Sequence, residues 1–552
     1  MSSEIFHTHQ HSLLFCATVL SSFFALTTIP SFIPCTLHLS ILLFYAPLLF
    51  GNRSKTQILS LWLALTIVKS SHWFIPSLNA LSTPSTSVVL LLAHGAVTSF
   101  VSLFSVLVYT RSRTRSSVPM LFPTLWATVW WTLALLSPVG YLTSWSPLTG
   151  LSNYDWLVSV FGGPARDWLV AAWAIVISEA FEMWYMGLEK PEEAPLISSV
   201  SSAPRAGNRF RGTLVFVLIA LAIPPYFSPG PSLALPRPIS ATDSTPLTVG
   251  CVLPRAKGDQ KLSFEDFLNE TKTMADRTNI ALWPEGAVSF ANEKDREKSL
   301  VKLQNVTEKS RDLLVGVSFE ESYVDPSGRS MSRTGLALVS KYSATEMIYY
   351  KRNLVPIAES FRLQKSTNPP QLLTYDIKLP KWAPKETRPI SITASICLDL
   401  AMPDPFIDLK KRPNLILAPA RTWDIAVGIA MWEQAKQRAL ELNSMVLWCD
   451  GGEGGVSGIA APEQGMKEVM QAGAGSWMRT VGLEYPANDR RTLYATMGSG
   501  IPILLMWASV GVVLGSGRFG RILPILRNLQ QRFLHWRDSR RVQTEEGNLL
   551  LD

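Results

Sequence analysis

The sequence predicts an α/β chain in which a multi-pass α-helical membrane region is joined to an external domain of alternating strands and helices. Three observations predict it. Long apolar runs fill residues 1–230 and return near residue 500. The stretch from Pro246 to Arg491 instead has ordinary globular composition, with short strand-like runs alternating with amphipathic segments. Within that stretch three strand ends each present one reactive side chain, Glu285, Lys351 and Cys397.

A run of about 17–25 apolar residues can cross a bilayer. Such runs lie at 12–33, 35–50, 56–78, 86–109, 118–143, 166–188, 212–228 and 498–516, giving about seven spans in residues 1–230 and a last one after the domain. The first reads as a retained span, because no cationic flank precedes it and no Ala-x-Ala cleavage site follows. Basic residues then alternate by side. Arg53 and Lys55, Arg111 to Arg115, Lys190 to Arg211 and the basic tail 517–552 share one face, and the intervening loops are almost free of them. The positive-inside bias therefore puts both termini in the cytoplasm and the 246–491 domain on the periplasmic, extracellular or lumenal side. The net charge of +8 belongs largely to these loops and the tail. It reads as attraction to membrane lipids, and no nucleic acid partner is expected. The run Trp126-Ala-Thr-Val-Trp130-Trp131 suits either an acyl pocket or an aromatic belt at the bilayer interface.

In the domain, strands are expected at 247–253, 280–283, 313–319, 334–339, 345–350, 390–396, 414–418, 445–450 and 455–460. Helices are expected at 264–279, 298–311 and 426–443, and Ser198 to Arg211 reads as a polar loop. Of five cysteines none shows Cys-x-x-Cys spacing, and nothing resembles a disulfide framework. Cys251 and Cys449 sit inside strand patterns and read as core residues, so Cys449→Ser is expected to be silent. That leaves Cys397, at a strand end, as the reactive thiol.

The segments Ala281-Leu-Trp-Pro-Glu285-Gly, Tyr350-Lys351-Arg-Asn-Leu-Val-Pro356 and Ala394-Ser-Ile-Cys397-Leu-Asp399 supply a carboxylate, an ammonium and a thiol. These suit base-activated thiol attack on a carbonyl, with a cation for the oxyanion. The stretch 246–491 contains no histidine, which excludes Ser-His-Asp, Cys-His and His-ligated zinc sites within it. Glu285 must then act as the base. Read singly, Glu285 could cap a helix, Lys351 could be a solvated lysine and Cys397 a buried apolar residue; the combination favours chemistry.

The order Glu, Lys, Cys resembles the carbon–nitrogen hydrolase (nitrilase) superfamily. Lys351-Arg-Asn-Leu-Val-Pro-Ile-Ala-Glu359, Gln434-Ala-Lys-Gln-Arg-Ala-Leu-Glu-Leu442, Gly454-Gly-Val-Ser-Gly458 and Thr492-Leu-Tyr-Ala-Thr-Met-Gly498 resemble segments of the bacterial apolipoprotein N-acyltransferases. So does the layout of spans around an external domain. The resemblance implies a four-layer αββα sandwich and a catalytic triad of Glu285, Lys351 and Cys397. It implies Glu359 as an assistant, the Leu398 N–H as an oxyanion donor and Asp399 as an assisting or substrate-binding residue. The implied reaction moves a phospholipid acyl chain through a Cys397 thioester to an amine acceptor such as a lipoprotein N-terminus. It needs no cofactor and no metal. With water as acceptor, the same triad makes a membrane-tethered amidase or nitrilase.

Three departures concern the acceptor or acyl chain. Leu398-Asp399 stands where Tyr-Glu is common, Phe264 where a tryptophan is expected, and Gly452-Glu453 where asparagines are usual. Asn269-Glu-Thr and Asn305-Val-Thr are glycosylation sequons in the external domain, which admits a eukaryotic secretory-pathway origin. Arg438 reads as a structural ion-pair partner.

Overall fold

The computed structural model describes residues 9–513 apart from 52–54, 82, 114–118, 188–204, 228–243, 257–260, 311, 325–327, 329, 379–386 and 463–466. The loop residues Arg53, Arg115 and Lys190 and the basic tail 517–552 lie outside the described residues.

The first half is helical. It comprises α1 (Gln10–Ala25), α2 (Phe32–Gly51), α3 (Lys55–His72), α4 (Phe74–Leu78), α5 (Pro84–Arg113), α6 (Leu121–Leu136), α7 (Asp155–Phe161), α8 (Gly163–Gly187) and α9 (Arg205–Ala222). Several apolar runs yield shorter helices than their length suggested. The run 12–33 stops helically at Ala25, before the β-branched and proline sequence Thr27-Thr-Ile-Pro30. The run 118–143 stops at Leu136, because Pro138 disfavours a helical Ser137. Arg205–Arg211, expected in a loop, begin α9. Among the described residues two helices are long and apolar enough to cross a membrane, Phe32–Gly51 and Pro84–Ser112. Gln10–Ala25, Leu121–Leu136, Gly212–Phe227 and Gly500–Val513 are apolar but shorter. Trp126 and Trp130 are buried inside the bundle against Trp145, so neither forms an exposed belt.

The second half is a mixed α/β sandwich. Its strands are β1 (Ser244–Cys251), β2 (Ile280–Leu282), β3 (Val288–Phe290), β4 (Leu314–Val324), β5 (Ser330–Val339), β6 (Met347–Tyr350), β7 (Leu373–Lys378), β8 (Thr387–Ala394), β9 (Leu415–Ala420), β10 (Met445–Asp450), β11 (Val456–Ala460), β12 (Lys467–Ala472) and β13 (Trp477–Glu484). One sheet runs β13-β1-β2-β4-β5-β6 with β3 beside β4; the other runs β12-β11-β10-β9-β8-β7. Side-chain alternation along a strand separates the layers. Ile280 and Leu282 enter the core between the sheets with Ile392, Leu415 and Leu417. Ala281 and Trp283 face the other way, towards helices α10 (Phe264–Met274) and α11 (Glu293–Lys309). Helix α12 (Ile425–Leu442) covers the second sheet, which completes four layers. Asn269 on α10 and Asn305 on α11 are exposed.

One sequence expectation is overturned here. Cys251 and Cys449 are not separate core thiols but a disulfide, with Cα atoms 5.6 Å apart. Cys251 ends β1 of the first sheet and Cys449 lies in β10 of the second. The bond therefore staples the two sheets together across the core. Their separation of 198 residues left no spacing motif to read.

Candidate active site

Strand β2 runs into Trp283, whose buried indole donates to the Thr271 hydroxyl at 3.0 Å and fixes the exit of the chain. Pro284 to Ala287 then turn sharply, with the Ala287 N–H donating to the Pro284 carbonyl at 3.2 Å. Gly286 has φ +60°, a conformation that a side chain would strain, and it leaves Glu285 projecting from the turn. The Glu285 N–H donates to Ala420 O at the end of β9, 3.2 Å away, so this turn is tied to the opposite sheet.

Lys351 follows β6, and its N–H donates to Thr334 O at 2.9 Å. Its ammonium donates to Glu285 Oε1 at 2.7 Å and to Glu359 Oε1 at 2.8 Å. Glu359 Oε2 accepts the Val355 N–H at 2.9 Å, which sets this carboxylate facing the lysine. Cys397 follows β8 and has φ +45°, unusual for a residue with a side chain. It opens a short 3-10 turn, Cys397–Ala401, whose Asp399 N–H donates back to Ile396 O at 3.0 Å. The Leu398 N–H is engaged by no acceptor among the described residues.

The Glu285, Lys351 and Cys397 side chains are all buried, and Glu285 and Lys351 come from one sheet while Cys397 comes from the other. Burial pushes the Glu285 carboxyl up to about 7 against the pull of the neighbouring Lys351. Burial alone would lower the Lys351 pKa, but Glu285, Cys397 and Glu359 outweigh it and hold the ammonium above its ordinary value. The Cys397 thiol is pushed well up by burial and by the Glu285 charge, with Lys351 opposing. The arrangement sets a buried thiol against a carboxylate whose basicity burial raises, a pairing suited to proton transfer from the thiol to the carboxylate.

Asp399 contacts no open space. It accepts from the Tyr349 hydroxyl (2.8 Å), the Ile396 N–H (3.2 Å), the Arg352 N–H (3.2 Å), and the backbone (2.7 Å) and side-chain (2.9 Å) N–H groups of Asn353. Burial raises its carboxyl pKa, and these donors counter the rise. Its place is that of a clamp between the loop after Lys351 and the turn that carries Cys397. Tyr349, Arg352 and Asn353, which pattern reading passed over, complete it; their only signal was adjacency to Lys351. Asp450 is a second buried clamp. It accepts the N–H and hydroxyl of Thr422 at 3.0 and 2.7 Å and the Gly452 N–H at 3.0 Å, and so shapes the loop beside the site. Phe264 packs on Trp283 with ring centroids 5.6 Å apart. Glu453 is exposed on the rim.

The helical half docks at this end of the domain. Gly140 sits so close to the Ala401 carbonyl that no side chain would fit. Trp73, Val139 and Leu142 pack against the core that holds Cys397, and the Trp423 indole donates to Pro76 O at 2.9 Å. On α12 the buried Arg438 pairs with Glu441 at 2.6 Å, and Arg166 from α8 donates to Gln437 at 3.2 Å. Arg438 thus belongs to the junction between the halves.

No family model and no curated protein matches the chain. Among solved structures it is similar to Nit3 of Saccharomyces cerevisiae, a member of branch 10 of the nitrilase superfamily. The identity is 16% and the TM-score 0.34, over 44% of this chain and 92% of that one. It is likewise similar to a cysteine-to-alanine mutant of the Nesterenkonia AN1 amidase of that superfamily, at 15% identity and TM-score 0.31, over 44% and 90% of the two chains. A glutamate-to-leucine mutant of the same amidase carries a covalently added acetamide moiety at its active-site cysteine and matches at 14% identity and TM-score 0.31, over 44% and 90%. What this chain's site can do follows from its own geometry.

Proposed function

We propose that this protein is a membrane N-acyltransferase that passes a phospholipid acyl chain through Cys397 to an amine. The observation that carries the reading is the buried Glu285–Lys351–Cys397 group, lying where the helical half meets the domain. Glu285 takes the thiol proton as Cys397 Sγ attacks the acyl ester carbonyl. Lys351 and the Leu398 N–H hold the resulting oxyanion. The tetrahedral centre collapses, the lysophospholipid oxygen leaves with the proton from Glu285, and a thioester remains on Cys397. An amine then attacks the thioester, gives a proton to Glu285, and Cys397 leaves and regains that proton as a thiol. Glu359 holds Lys351 in place throughout.

Two features support a membrane setting. The helices expose large apolar side chains, among them Leu20, Phe24, Ile33, Ile67, Phe100 and Phe216, each more than half exposed. So much apolar surface suits lipid better than water. The Cys251–Cys449 disulfide suits an oxidising compartment and thus an external or lumenal domain, independently of the loop charges. Two exposed sequon asparagines fit the same side.

The test is product analysis. Purified protein in detergent, given a phospholipid with a labelled acyl chain and a peptide with a free N-terminus, should yield N-acyl peptide and lysophospholipid. Labelled free fatty acid with no N-acyl peptide would instead make water the acceptor and the protein a hydrolase.

A further inference from the structure

We propose that Arg421 forms a phosphate subsite at the mouth of the site and selects donors by the phosphodiester of their headgroup. This rests on the acyl-transfer reading above and adds the group that distinguishes a phospholipid from other esters. Arg421 directly follows Ala420, the residue whose carbonyl accepts the Glu285 N–H. Its Nη1 lies 4.0 Å from the point where a side chain on Gly286 would begin, so the guanidinium stands beside the turn that carries Glu285. It is exposed, and among the described residues it makes no ion pair and no side-chain hydrogen bond.

The neighbouring charges do not neutralise it. Glu320 Oε1 lies 3.5 Å from the same Gly286 point, but Arg362 already donates to that carboxylate at 3.3 Å. Glu453 is exposed on the adjoining loop and makes no ion pair with Arg421 among the described residues. Two residues on, the Trp423 indole is anchored to Pro76 of the helical half. Arg421 therefore lies between the turn that carries Glu285 and a contact with the helical half, the side from which the proposed lipid donor would come.

The chemistry fits one group. A glycerophospholipid carries its phosphodiester a few bonds from the acyl ester, and a guanidinium offers paired N–H donors matched to two phosphate oxygens. The absence of a side chain at Gly286 keeps that approach open.

The test compares matched donors on the full-length protein in detergent, reading acyl-adduct formation on Cys397 against donor concentration. Wild type should take an acyl group from a dioleoyl phospholipid about 10- to 100-fold more efficiently than from dioleoylglycerol, which lacks the phosphate. Arg421→Gln should erase that preference, chiefly through KM, and Arg421→Lys should restore part of it. Arg490→Gln, an exposed control, should keep it. An Arg421→Gln protein with undiminished preference, or one that loses both donors in proportion, would overturn the phosphate subsite alone. A wild type acylated by neither donor would overturn the acyl-transfer reading and the subsite with it.

Discussion

Cutting the inter-sheet disulfide should cost more than any other conservative change outside the triad. Cys449→Ser removes a crosslink between residues 198 apart, and loop-closure entropy for such a length amounts to about 5 kcal/mol. Residual structure in the unfolded chain reduces this, so a loss of about 3–5 kcal/mol is expected. For a domain of this size that lowers Tm by about 6–20 °C. Cys251→Ser should lose the same amount, and the double variant no more, because both act on one bond. The assay is thermal unfolding of detergent-solubilised protein with and without reductant, alongside alkylation of the denatured, unreduced chain. Wild type should shift with reductant and alkylate at three cysteines, Cys16, Cys35 and Cys397. Alkylation at all five, or a Cys449→Ser variant as stable as wild type, would refute the staple. Activity should fall with it, since the bond joins the sheet carrying Glu285 and Lys351 to the sheet carrying Cys397.

Further outcomes follow from the site. Glu285→Gln should abolish acylation of Cys397 while leaving the fold intact, as the domain holds no histidine to replace the base; single-turnover mass analysis reads this. The acylation rate should rise about tenfold per pH unit below neutrality and level off above about 7, because Glu285 must be ionised to accept the proton and burial raises its pKa. The stability sign is opposite: a raised carboxyl pKa means the folded state holds the proton more tightly, so stability falls as pH rises from about 4.5 to about 7. A flat pH–rate profile from about pH 5 to 8 would remove Glu285 as the base. Asp399→Ala should strand five donors, two of them fully buried, and lower stability by about 1–3 kcal/mol, measured by denaturant unfolding, with activity lost through a displaced Lys351 loop.

Much of the sandwich was legible because its central strands are buried on both faces and read as apolar runs. β2, β4, β9 and β10 fall where such runs stand, and the Pro284–Gly286 and Cys397 turns sit at their ends or beside them. The edges were harder. β12 (Lys467–Ala472) opens on the adjacent charges Lys467 and Glu468, β7 (Leu373–Lys378) carries Asp376 and Lys378, and neither offers much apolar signal. β13 escaped too, since Arg479 and Thr480 interrupt its run. The disulfide is set by how two sheets stack, which no local pattern records. Asp399 was visible as a carboxylate beside the thiol, but its partners come from two loops and an adjacent strand that only the fold brings together. Helix ends in the apolar half were blurred because apolar composition continues through the bends at Thr27–Pro30 and Ser137–Pro138.

The most direct test of the whole account is intact mass of the purified protein after incubation with phospholipid alone, followed by peptide mapping. The account predicts one added acyl chain, held on Cys397, released by hydroxylamine as a thioester, and absent in Cys397→Ser. An unmodified wild type, or an adduct that persists in Cys397→Ser, would contradict it.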